Sequence, residues 1–249
     1  MSRAMRIVLL ILLFGFILPL ALNAIAYALS DRQEHWSRAD RSPAGLAPDP
    51  SAHPGAIVQI YAAPAYRWRG IFSVHTWIAI KGEDERAYTR YDVMGWGRPL
   101  RVNGYAADAR WFGQEPTIVH ELTGEGAAEV VADIREAVER YPYGDHGGYT
   151  LFPGPNSNSF VAWVAREVDG LDVRLPPNAI GKDFSEGWLS VLPTPSNTGW
   201  QVSFGGFAGA AFGWAEGIEI HFMGSTLGLD FTRPAVKIPF VGRFGVAAS

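Results

Sequence analysis

Hydrophobic and polar positions follow one another in distinct patterns along this chain. Residues 7–30 carry no charge. At about 1.5 Å of rise per residue such a run is long enough to cross a bilayer as a helix. Residues 31–55 are polar and interrupted by Pro43, Pro48, Pro50 and Pro54, the pattern of a flexible linker. Residues 56–62, 72–81 and 87–93 then read as three β-strands, the last two joined by a turn at Gly82-Glu83-Asp84. In the second strand Phe72, Val74, Ile78 and Ile80 share one face, with Ser73, His75, Trp77 and Ala79 on the other, because strand side chains alternate. Val130, Val131, Ile134, Val138 and Tyr141 recur at helical spacing and predict a helix over 123–141 that Pro142 stops. A second helix is predicted over 158–168, ended by Gly170. From Trp188 the chain is rich in glycine and aromatic residues. Strands are expected at 188–192, 201–204 and 217–223, before a tail punctuated by Pro234 and Pro239. The apolar stretch 205–214 is too short to span a membrane.

These patterns divide the chain into an N-terminal transmembrane anchor (1–30), a flexible linker (31–55) and a single α+β domain (56–249). The expected architecture is a mostly antiparallel sheet packed by two helices, with a β-rich C-terminal extension. The chain has 249 residues, enough for one sizeable domain after the anchor. The net charge of −4 gives no basis for a nucleic-acid partner. There is no cysteine, which excludes disulfides, thiolate metal sites and a thiol nucleophile. The six histidines are widely spaced and no phosphate-binding glycine loop is present, so neither a metal nor a cofactor is expected. Arg3 and Arg6 precede the apolar run and no acid does. The positive-inside rule then puts the N-terminus in the cytoplasm and the domain outside, as a single-pass protein of the inner (cytoplasmic) membrane. A signal peptide cleaved near Ala26-Tyr27-Ala28 is the alternative.

Candidate chemistry gathers at three residues. Asn156-Ser157-Asn158-Ser159 sits just before the second helix, where side-chain oxygens satisfy unpaired N–H groups; capping accounts for these residues without any catalysis. His75 lies opposite the cleanest apolar face of its strand, beside Trp77, where a covering helix would bury it as a working or a structural imidazole. Asp92 is the best acidic candidate to orient that ring. The loop Tyr141-Pro142-Tyr143-Gly144-Asp145-His146-Gly147-Gly148-Tyr149 is a candidate pocket wall, and Lys182-Asp183 a candidate local ion pair or anion holder.

The stretch Asn156-Ser157-Asn158-Ser159-Phe160-Val161 resembles the Asn-Cys-x-x-Phe-Val helix start of lecithin retinol acyltransferase-like proteins, which are circular permutations of the papain-like NlpC peptidase fold. The resemblance implies a permuted papain-like core with the histidine strand first and the nucleophile helix later. It implies Ser157 as nucleophile, His75 as base and Asp92 as orienting group. Serine stands where that family has cysteine. A thiol of pKa about 8.5 ionises readily beside a helix N-terminus, whereas a hydroxyl needs a base in contact and an oxyanion hole. The family's third polar group lies about a dozen residues after the histidine, and here Ala87-Tyr88 occupies that spacing. Residues 56–245 also resemble an uncharacterised bacterial family of membrane-anchored proteins. That likeness runs through Val74-His75-Thr76-Trp77, Arg90-Tyr91-Asp92-Val93, Gly154-Pro155-Asn156-Ser157-Asn158, Ala179-Ile180-Gly181-Lys182-Asp183 and Gly228-Leu229-Asp230-Phe231 with Arg233-Pro234. The function expected is a hydrolase or acyltransferase acting on an amide or ester of the cell envelope. The alternative is an inactive binding module for peptidoglycan, lipid or a protein partner.

Overall fold

The computed structural model describes residues 2–29 and 35–246. Expectations for 30–34 and 247–249 lie outside the described residues. The apolar run forms one helix, α1 (Arg3–Leu29), with a π-helical turn at Leu13–Ile17. It is long and apolar enough to cross a membrane. Ser2 caps it by accepting a hydrogen bond from the Met5 N–H. Its one side-chain amide is not left bare: Asn23 Nδ2 donates to the carbonyls of Ile71 and Phe240 at 2.9 and 2.7 Å.

Two antiparallel sheets follow, and the expected β-rich C-terminal extension forms the second of them. The first comprises β1 (Ile57–Pro64), β2 (Val74–Lys81), β3 (Thr89–Val93), β4 (Leu100–Val102) and β5 (Thr117–Thr123), in the order β4-β3-β2-β1-β5. Two helices, α2 (Glu125–Glu139) and α3 (Ser157–Glu167), cover the aliphatic face of this sheet. Val58, Ile60, Ile78 and Ile80 meet Val131, Ile134, Phe160 and Val161 there in one buried core. The helix predicted from 123 starts at Glu125, because Gly124 (φ +64°) turns the chain out of β5.

The other face holds Tyr61, His75, Trp77 and Ala79. It is closed not by a helix, as expected, but by the irregular segment 103–116, which lays Trp111 and Phe112 on it. The aliphatic face matches the ridges of a helix, while the ringed face matches flat aromatic partners. Within the expected flexible linker 31–55, residues 39–47 run along this segment. The N–H groups of Leu46 and Ala47 donate to Asp108 Oδ2 at 2.7 and 3.1 Å, Pro43 bridges Ala109, and Ala39 is buried. Asp108 supplies the partners that the extended, proline-held backbone lacks on its own.

The second sheet is a seven-stranded meander: β6 (Leu189–Pro193), β7 (Gly199–Phe204), β8 (Ala208–Gly213), β9 (Gly217–Phe222), β10 (Ser225–Asp230), β11 (Ala235–Ile238) and β12 (Gly242–Gly245). The register aligns Gln201, Ala211, Glu219, Gly228 and Lys237 in a row on the face turned to the rest of the protein. The tail expected after residue 223 therefore forms the last three strands of this meander.

Candidate functional site

β2 and β3 pair so that Ala79 opposes Arg90, which places Arg90 and Asp92 on the His75–Trp77 face. His75 Nε2 lies 2.9 Å from Asp92 Oδ1, and Arg90 grips the same carboxylate through Nε at 2.6 Å and Nη2 at 3.1 Å. All three are buried, Asp92 completely. Arg90 is itself held: Nη1 donates to the Ala106 carbonyl at 2.8 Å, and the guanidinium lies 4.1 Å from the Trp77 ring centroid. Burial alone would raise the Asp92 carboxyl, but the Arg90 charge and the hydrogen bond from His75 outweigh it and hold it below the usual carboxylate range. Burial pushes His75 below its ordinary 6.5; Asp92 opposes this and Arg90 adds to it.

An ionised Asp92 beside a neutral imidazole fixes the tautomer. Nε2 carries the proton and donates to Asp92, so Nδ1 keeps its lone pair. The side-chain hydrogen bond of His75 among the described residues runs through Nε2, not Nδ1. Trp111 stacks on the imidazole at 3.6 Å between centroids and 9° between planes, covering one face of the ring. Neither Arg90 nor Trp111 figured among the candidates from sequence. Arg90 had a signal, since residues two apart on a strand share a face. Trp111 had none, because it arrives from an irregular segment.

Ser157 occupies the first position of α3, and the cap is its neighbour. Asn156 Oδ1 accepts from the N–H groups of Asn158 (2.9 Å) and Ser159 (3.1 Å), while Ser159 Oγ accepts from the Asn156 N–H at 2.7 Å, a closed capping box. Asn156 Nδ2 also donates to the carbonyls of Leu151 and Ile180. Gly181 (φ +96°) admits this amide; a Cβ there would lie 2.5 Å from Nδ2. The helix start is tied to the histidine strand by Thr76 Oγ1, 3.2 Å from the Ser157 carbonyl and 3.0 Å from Asn158 Oδ1, and by Asn158 Nδ2, which donates to the Val74 carbonyl at 3.0 Å. Ser157 Oγ is thus free of the capping role. It forms no hydrogen bond to His75 among the described residues.

What the two side chains share is a cavity of about 1280 Å³ at the start of β2. His75, Ser157 and Asn158 line it together with Trp68, Trp96, Trp111, Phe152 and Tyr149. Phe16, Ile17 and Leu20 of α1 form another part of its wall. Of the loop 141–149 only Tyr149 lines it; Asp145 is exposed and pairs with Arg98, and His146 is exposed too.

Lys182 does not pair with Asp183. Its ammonium is 3.0 Å from Glu219 Oε2, and Lys237 Nζ is 2.5 Å from Glu219 Oε1, in a buried cluster under the second sheet. Burial would raise Glu219, but the two ammonium groups bring it down to about 2. Both carboxylate oxygens of the buried Asp183 lack a hydrogen-bond partner among the described residues. Burial lowers nearby Arg166 to about 10, with the Asp183 and Glu216 charges opposing. No group of three metal-ligating side chains occurs among the described residues.

A family model described as "Protein of unknown function (DUF3750)" matches residues 55–184, more than half of the chain. No curated protein and no solved structure matches. The matched span covers the first sheet, both packed helices and every residue of the His75–Asp92–Ser157 arrangement, and it stops before the second sheet.

Proposed function

We propose that this chain, which belongs to the DUF3750 family of proteins of unknown function, is a membrane-anchored acyl hydrolase or acyltransferase that takes an apolar acyl ester or amide. The observation that carries the reading is His75. Its Nε2 is engaged by a buried, arginine-clamped carboxylate, and Nδ1, outside that contact, belongs to a residue that lines the same cavity as Ser157. This is the arrangement of a general base oriented by a third group. In the proposed step the Ser157 hydroxyl attacks the acyl carbon as His75 Nδ1 takes its proton. Collapse of the tetrahedral intermediate expels the alcohol or amine, which receives that proton from His75. Water, or an acceptor hydroxyl, then takes the acyl group from Ser157 by the same route in reverse. Asp92 stabilises the imidazolium formed in each half. The N-terminus of α3 favours negative charge developing beside Ser157. The two side chains must close to hydrogen-bond distance as substrate binds, as catalytic contacts commonly do.

Substrate class follows from the wall. A cavity walled by tryptophans and by the lipid-soluble helix α1 suits a hydrocarbon chain. The order of histidine strand and serine helix, joined through Thr76, supports a permuted papain-like core. Arg3 and Arg6 support an N-terminus in the cytoplasm and a domain outside the inner membrane. A second reading, a module that holds an acyl chain without turnover, is favoured by the missing Ser157–His75 hydrogen bond. Hydrolysis of p-nitrophenyl esters of increasing chain length by the full-length protein separates the two. Turnover that rises with chain length and vanishes in both Ser157→Ala and His75→Ala supports the enzyme. Saturable binding of the ester with no turnover in the wild type supports the module.

A further inference from the structure

The second sheet is inverted. In a sheet with one face in water, polar side chains point out and apolar ones in. Here Gln201, Glu219 and Lys237 point in and are buried, while the row between them faces out. Trp200, Phe212, Ile218, Leu229, Val236 and Phe244 oppose one another across that outer row, and Trp200 and Phe212 are 63% and 69% exposed. The next outward row, Val191, Val202, Ala210, Ile220 and Leu227, is apolar as well. Among the described residues no charged side chain projects from the outer face of the seven strands, since Glu219, Asp230, Lys237 and Arg243 all belong to the inward set. A continuous apolar face of this size on a folded protein marks an interaction surface.

Helix α1 identifies what covers it. The Phe16 ring meets Phe222 at 5.4 Å, and a Cβ built on Gly15 would lie 3.2 Å from Leu227; Phe222 and Leu227 both belong to the outer face. Asn23 pins the same helix to the carbonyls of Ile71 and Phe240. The membrane-spanning helix and the sheet face therefore form one continuous apolar surface on one body, and a bilayer that takes up the helix meets the sheet. We infer that the outer face of β6–β12 rests on the lipid bilayer, as a second membrane contact beside the anchor. The sheet itself does not cross. Its first and last strands, β6 and β12, leave open edges that hydrocarbon does not tolerate. Trp188 and Trp214, both highly exposed, add the aromatic type enriched where proteins meet a membrane. The contact holds whether or not Ser157 turns over substrate.

The absence of cysteine makes the test direct. Full-length Phe212→Cys, Ile218→Cys and Val236→Cys, with Glu136→Cys on exposed α2 as reference, are labelled with a fluorophore. Each is reconstituted in vesicles of phosphatidylcholine and phosphatidylglycerol. Labels at 212, 218 and 236 are expected to lose quenching by aqueous iodide and to gain quenching by brominated phospholipid, with the reverse at 136. Three sheet positions keep the test standing if one variant misfolds. Labels on the sheet that remain as open to iodide as the label at 136 would overturn the inference. So would labels shielded from both quenchers, with shielding that grows with protein-to-lipid ratio, since a second copy would then cover the face.

Discussion

At the residue scale, Arg90 decides how the site works. It turns Asp92 from a carboxylate that burial would neutralise into a fixed negative charge, and that charge selects the His75 tautomer. Removing one partner of a buried ion pair leaves the other uncompensated, at a cost of about 3–5 kcal/mol. Arg90→Met is accordingly expected to lower unfolding stability by several kcal/mol and to abolish activity with Ser157 intact; a change below about 1 kcal/mol in urea denaturation would contradict the clamp. The pH dependence has a definite sign. His75 has a folded pKa below its ordinary 6.5, so below that pH the unfolded chain takes up a proton that the folded chain resists. Asp92, lowered from 3.8, contributes stability above that value and loses it as pH falls through its folded pKa. Both make acid destabilising. Urea midpoints should fall from pH 7 towards pH 4, and the acid limb of kcat/KM should lie below 6.5. A limb at or above 6.5 would mean that the buried ring is not the base. Asp92 was legible in the sequence as the best acidic candidate on the strand next to that of His75, but its face and register come only from the pairing of Ala79 with Arg90. Trp111, the ring that covers His75, was not legible, since nothing in its own segment predicts where that loop lies.

At the element scale, capping and candidate chemistry occupy adjacent residues of one helix start. Asn156 closes the capping box and Ser157 does not take part. Asn156→Ala should cost about 0.5–2 kcal/mol, and more if Ile180 O and Leu151 O are left unpaired. Ser157→Ala should leave the unfolding midpoint almost unchanged while removing activity. Equal losses of stability from the two would return Ser157 to a structural role. Helix α2 and the first three strands follow from periodicity alone, because aliphatic residues at helical or alternating spacing were present to read. The second sheet was only partly legible. Its strands are short and glycine-rich, and their outward rows are as apolar as a core, so alternation does not announce which face is buried. β5, with His120 and Glu121 in its middle, hid for the opposite reason: it is a polar edge strand.

At the scale of the whole molecule, the apolar helix α1 packs against the domain through Phe16 and Asn23. Within the span expected to be a flexible linker, Pro43, Leu46 and Ala47 find partners on Ala109 and Asp108, and Asn23 joins the helix to both halves of the domain. The full-length protein is expected to sediment with membranes and to resist extraction by high salt, since burial of an apolar helix is insensitive to screening. Recovery of a soluble form beginning near Leu29 would show cleavage instead. The cavity joins these scales, because its wall draws on α1, the histidine strand and the serine helix at once.

The central claim, that Ser157 is a nucleophile served by the Asp92-held imidazole of His75, is tested most directly by covalent capture. Full-length protein in detergent or vesicles is treated with a fluorophosphonate bearing an alkyl chain, and the modified peptide is located by mass spectrometry. The account predicts a single adduct on Ser157, absent from Ser157→Ala and strongly slowed in His75→Ala. Full-length protein that is folded and binds acyl chains, yet carries no adduct on Ser157, would contradict it.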